Sequence, residues 1–96
     1  MECKYLNTIR IIIKAHKYTF GDTMLNDIRK NVASLVIISS DAGKSSQKKV
    51  MDKCSYYNVK YVTLLTKDEM SKLFNKNISS FAITDVNLAK KFIENM

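Results

Sequence analysis

Four consecutive apolar residues, Leu35-Val36-Ile37-Ile38, constrain this chain more than any other feature of its sequence. Successive strand side chains point to opposite faces, so an unbroken apolar run must be covered on both. Three of the four are β-branched, which favours extended backbone. Such a segment predicts a central strand with helices packed above and below it.

The remaining sequence supplies those helices. Tyr5, Leu6, Ile9, Ile12 and Ile13 recur at helical spacing and predict a helix over 4–15. An extended piece over 17–20 leads to Gly21, which can take a positive φ or admit a close backbone. Asp22 or Thr23 then caps a second helix with Met24, Leu25 and Ile28 inward, and Asn31 stops it. After the strand, 39–43 form a loop. A third helix over 44–57 turns Val50, Met51, Cys54 and Tyr57 inward and Lys44, Lys48, Lys49 and Lys53 mostly outward.

Tyr61 to Leu65 reads as the next strand. Thr66 and Glu69 have capping-box spacing and open a short helix burying Met70, Leu73 and Phe74. Asn75-Lys76-Asn77 is a turn, and Phe81-Ala82-Ile83 a strand core. Thr84-Asp85 starts a last helix with Leu88, Ala89, Phe92 and Ile93 inward. This alternation predicts an α/β fold, an α/β/α layered sandwich around a small sheet. With 96 residues, no proline and no linker, one domain over 1–96 is expected.

Several chemistries are excluded on spacing. Ala42-Gly43-Lys44-Ser45 resembles the end of a phosphate-binding P-loop, but the glycine that loop needs is replaced by Ile38 inside the strand. A helix start at 42–45 can still favour an anion. His16 is the sole histidine, with no nucleophile placed beside it by sequence. Cys3 and Cys54 lack metal-ligand spacing and read as reduced thiols of a cytoplasmic protein. No secretory or membrane-spanning pattern is present, and neither an enzymatic centre nor a cofactor is implied.

The net charge is +7, carried almost wholly by lysine, with Arg10 and Arg29 the only arginines. Abundant Lys, Asn and Ile suit an AT-rich genome, so a solvated lysine surface accounts for part of this charge. The alternative is an anionic partner, most often nucleic acid. Tyr56, Tyr57 and Tyr61 are possible base-stacking groups, although core packing is favoured for Tyr57.

Two blocks carry a family resemblance. The run 35–42 followed by Lys48-Lys49-Val50-Met51-Asp52-Lys53-Cys54-Ser55-Tyr56-Tyr57-Asn58-Val59 resembles the bacterial YlxQ-type proteins of the ribosomal protein L7Ae/L30e superfamily. Phe81-Ala82-Ile83-Thr84-Asp85 and Leu88-Ala89-Lys90-Lys91 extend the match to nearly the whole chain. The resemblance implies a three-layer sandwich with a four-stranded mixed sheet. It also implies RNA binding, in the best-known members to kink-turns, where tandem sheared G·A pairs bend a helix sharply.

The family's RNA face joins the glycine turn and start of the second helix, the loop after the central strand, and the loop before the last strand. Carried onto this chain, those elements nominate Lys17, Gly21, Asp22, Thr23, Asn26 and Lys30 from the first. Asp41, Ala42 and Lys44 come from the second, and Lys76 and Ile78 from the third. The expected protein is a cytoplasmic, non-enzymatic, monomeric RNA binder associated with the ribosome or translation, with ribosomal proteins as further partners and no membrane partner. The chain departs from the family pattern at two turns. It is one residue shorter after Gly21, leaving Asn26 where YlxQ-type proteins carry a lysine, and Asn75 replaces the usual glycine of the last-strand loop. A protein-interaction or ribosome-assembly module that has lost specific RNA recognition is therefore the second expectation.

Overall fold

The computed structural model describes residues 4–96, so the expectation for Cys3 lies outside the described residues. Its strands are β1 (Tyr18–Thr19), β2 (Leu35–Ile38), β3 (Tyr61–Thr63) and β4 (Ser80–Ile83). Its helices are α1 (Lys4–Lys14), α2 (Gly21–Arg29), α3 (Lys44–Tyr56), α4 (Lys67–Phe74) and α5 (Val86–Glu94). The strands form one mixed sheet in the order β1-β4-β2-β3. β2 pairs parallel with β3 and antiparallel with β4, and β1 pairs antiparallel with β4.

All four residues of β2 are buried, as an unbroken apolar strand requires. Leu35 and Ile37 face a core completed by Ile9 and Ile12 of α1, Met70 and Phe74 of α4, and Ala89 and Phe92 of α5. Val36 and Ile38 face the opposite core, completed by Met24 and Ile28 of α2 and Val50 and Cys54 of α3. The alternation along one strand therefore builds two cores, and the architecture is the three-layer α/β/α sandwich expected from the sequence.

Local signals place most of the boundaries. Asn31 and Asn75 adopt positive φ values of 60° and 54° beyond α2 and α4, a conformation asparagine tolerates. Thr66 Oγ1 accepts from the Glu69 N–H at 3.1 Å, and Glu69 Oε1 accepts from the Thr66 N–H at 2.9 Å. Asp85 Oδ1 accepts from the Leu88 N–H at 3.0 Å and caps α5.

Three expectations are corrected. The cap of α2 is neither Asp22 nor Thr23. Gly21, at φ +67°, turns the chain from β1 straight into the helix, so extended Phe20 holds the cap position without a side-chain bond. β3 ends at Thr63 rather than Leu65. Leu65 turns to φ +68° and its carbonyl accepts from the Ser40 N–H and Oγ, drawing the chain off the sheet towards the Thr66 cap. Ile93 is exposed rather than inward, because Phe92 takes the buried position at that turn of α5.

Candidate nucleic-acid interface

The pairing pattern gathers functional loops at one end of the sheet. β1, β2 and β3 all finish there, and β4 begins there. Consequently α2, α3 and α4 start at this end. The first turns of α2 and α3 carry no side-chain cap, whereas α4 has its capping box. Uncapped first-turn N–H groups at the positive end of a helix dipole favour an anion.

A groove of about 580 Å³ opens between the start of α2, one flank of α3 and the segment leading into β4. Its floor is apolar, formed by Phe20, Met24, Leu25, Val50 and Ile78. Its polar lining is Asp22, Ser46, Lys49, Lys76, Asn77, Ser79 and Ser80, so two ammonium groups face a single carboxylate. Gly21 lies between floor and rim, and a Cβ built there would meet nothing within 4 Å. Glycine is thus favoured by the backbone angle, which is unfavourable for most residues bearing a Cβ, and not by crowding.

The aromatic side chains hold the floor in place. The Phe20 ring stacks on Tyr18 at 5.9 Å with a 17° interplanar angle, and Tyr18 meets Phe74 edge-on at 4.9 Å. Phe74 in turn contacts Phe81 at 4.6 Å. Lys76 Nζ lies 5.0 Å from the centroid of the Phe20 ring. The groove therefore combines a fixed π surface, mobile-length cations and hydroxyl and amide groups. These can stack an unpaired base, neutralise phosphate and satisfy base edges.

Of the residues nominated from sequence, Gly21, Asp22, Lys76 and Ile78 line this groove together. Thr23 and Asn26 are exposed on α2 outside its lining, and Asn26 Oδ1 accepts from Arg29 Nη2 at 3.1 Å. Lys17 is exposed, with its carbonyl accepting from the Thr84 N–H at 3.0 Å. Lys30 caps the far end of α2. Asp41 Oδ1 accepts from the Lys67 N–H at 2.8 Å, tying the loop after β2 to the start of α4. Ala42 is half-buried beside it. Lys44 lies in a separate groove with Gln47, Lys48 and Tyr61.

Sequence reasoning missed Phe20, Ser46 and Lys49. The last two, with Val50, share one flank of α3 at helical spacing, a pattern that becomes informative once α2 is known to lie alongside. Tyr57 is half-buried against the second core, while Tyr56 is 80% exposed. Among the described residues, no group of three or more His, Cys, Asp or Glu is placed to hold a metal, and no helix is long and apolar enough to cross a membrane.

A mixed four-stranded sheet between helical layers, with a basic groove at the ends of its strands, defines a small α/β binding domain. Residues 4–93 match the ribosomal protein L7Ae/L30e/S12e/Gadd45 family, and the chain belongs to that family. It is 35% identical over 89 residues to the RNA-binding protein YlxQ of Enterococcus faecium, covering 92% of this chain and 86% of that protein. It is 34% identical over 82 residues to the RNA-binding protein YlxQ of Bacillus subtilis (strain 168), covering 83% and 82%. Among solved structures, a Bacillus halodurans protein of unknown function superposes with a TM-score of 0.89 at 23% identity, over 97% of this chain and 96% of that one. A Giardia lamblia 15.5kD RNA binding protein superposes with a TM-score of 0.75 at 19% identity, over 93% and 81%. The resemblance read from the sequence is borne out in family and in fold.

Proposed function

We propose that this chain is a non-enzymatic RNA-binding protein whose groove beside Gly21 receives a bent, kink-turn-like segment of structured RNA. The observation that carries the reading is the groove itself. Lys49 and Lys76 flank an apolar, aromatic floor next to the uncapped first turn of α2. The names of the two YlxQ relatives point the same way. On this reading residues 1–96 are one RNA-binding domain, acting as a monomer in the cytoplasm in association with the ribosome or translation. Lys49 and Lys76 neutralise phosphates, Phe20 offers a stacking surface, and Asp22 with the serines meets base edges.

The test is binding to a kink-turn RNA, the same RNA with its sheared G·A pairs replaced, and a plain duplex, each over a range of salt. Preference for the intact kink-turn that survives rising salt supports the reading. Equal affinity for all three, collapsing with salt, reduces it to phosphate contact.

A second reading is a protein-interaction or ribosome-assembly module without specific RNA recognition. It is favoured by Asn26, a position where the resemblance implies a lysine and where the side-chain oxygen accepts from Arg29. Partners that remain bound after ribonuclease treatment of the isolated complex would support it.

A further inference from the structure

A second groove, of about 640 Å³, runs between α1 and α4 on the other helical layer of the sandwich. It is lined by Asn7, Arg10, Ile11, Ile13, Lys14, Lys72 and Leu73, with no carboxylate among the described residues of the lining. Ile11 is 44% exposed there, although Ile9 and Ile12 already fill the inward positions of α1. The helix therefore spends an isoleucine on solvent in the middle of a basic surface.

The chemistry of this groove differs from that of the groove beside Gly21. It holds no aromatic ring on which a base could stack. Its cations come from the later turns of α1 and α4. Aliphatic side chains between cations suit a partner that is itself aliphatic and anionic. Arg10 Nη1 donates to Asn7 Oδ1 at 3.3 Å, and Lys72 Nζ lies 3.2 Å from Asp68 Oδ2 in an exposed pair. An exposed pair of this kind is weak, so Lys72 can exchange Asp68 for a carboxylate brought by a partner.

We infer that the α1–α4 groove is a docking site for an acidic amphipathic helix of a protein partner, separate from the groove beside Gly21. Acidic side chains on the partner meet Lys14 and Lys72, and its aliphatic side chains cover Ile11 and Leu73. An RNA strand is the competing occupant, and the absence of a stacking surface in the lining argues against it.

The experiment uses the full chain and a synthetic helical peptide of about four turns carrying Leu and Glu at i, i+4 spacing. A scrambled peptide of the same composition and an oligouridylate are the comparisons. Backbone amide shifts are followed on titration. The expected result is saturable shifts confined to residues 7–14 and 72–73, absent with the scrambled peptide. Lys14→Glu with Lys72→Gln should weaken the peptide by at least about tenfold, with the free spectrum still that of a folded chain. Lys49→Gln with Lys76→Gln should leave it unchanged. No saturable shift, equal binding of the scrambled peptide, or tighter binding of oligouridylate at the same amides would each overturn the inference. None of these outcomes touches the kink-turn comparison, so the two readings fail separately.

Discussion

The Lys76 ammonium stands 5.0 Å from the centroid of the Phe20 ring, at a groove that both residues line. The ring's electron-rich face attracts the cation by about 0.5–1 kcal/mol at an accessible site. This holds a positive charge beside Gly21 before any ligand arrives. A nucleic-acid strand entering the groove would offer Lys76 a phosphate and free the ring face for a base.

The salt dependence of RNA binding tests that arrangement. Lys49→Gln and Lys76→Gln should each lower the slope of log affinity against log salt by about 0.7–0.9, one phosphate contact apiece. Lys30→Gln, at the opposite end of α2, should leave the slope unchanged. A Lys30 variant as damaging as the Lys76 variant would move the interface off this groove. Phe20→Leu keeps apolar bulk but removes the π surface. It should weaken binding by about 1–3 kcal/mol if a base stacks there, with little change in slope.

Gly21 provides a test of backbone geometry. Its φ of +67° costs a residue with a Cβ about 1–2 kcal/mol, although the space around it is empty. Gly21→Val should lower the unfolding free energy by that amount, read as a lower denaturant midpoint at unchanged m-value, and should weaken RNA binding as the start of α2 shifts. Gly21→Asn should retain most of both, since Asn31, Asn58 and Asn75 already hold positive φ in this chain. A valine variant as stable and as tight-binding as the parent would show that the turn is not needed.

Asp41 illustrates a residue whose family position suggests one role and whose hydrogen bond supplies another. Its carboxylate accepts from the Lys67 N–H at 2.8 Å, across two loops at the groove end of the sheet. Asp41→Ala should cost about 1 kcal/mol of stability, the net value of one accessible hydrogen bond. RNA affinity and its salt slope should be unaltered. A large loss of affinity with unchanged stability would instead place Asp41 against the RNA.

What could be read from the sequence was what short-range chemistry decides. The unbroken run of β2 required cover on both faces, the Thr66–Glu69 box opened α4, Asn31 stopped α2, and the turn read at 75–77 follows α4. The start of α2 was misplaced because it depends on the angle Gly21 adopts, which composition leaves open. The site was legible only in part for a tertiary reason. Lys44 and Lys49 lie on different flanks of α3, and only the packing of α2 against one flank puts Lys49 into the groove and leaves Lys44 in another. Ile93 was misassigned because two adjacent apolar residues, Phe92 and Ile93, compete for one inward position and the larger ring takes it.

Cys54 couples stability to alkaline pH. The thiol is buried in the core between α3 and the sheet, and burial raises its pKa from the ordinary 9.0 to about 11. Burial disfavours the thiolate, so the folded chain keeps its proton where the unfolded chain has lost it. Between pH 9 and about 11 the native state binds more protons than the unfolded state, and stability must fall as pH rises. The full contribution is present below pH 9, and the decline for this one group is at most about 1.4 kcal/mol per pH unit. Denaturant midpoints of the Cys3→Ser chain across this range should show that decline. The same measurements on Cys3→Ser/Cys54→Ala, a smaller side chain that cannot ionise, should show a lower midpoint with a shallower pH dependence. In the first chain an alkylating reagent at pH 8 should label Cys54 only as fast as the protein opens, because the reactive thiolate is scarce and shielded. Labelling as fast as a free thiol under native conditions would contradict the burial on which the pH dependence rests.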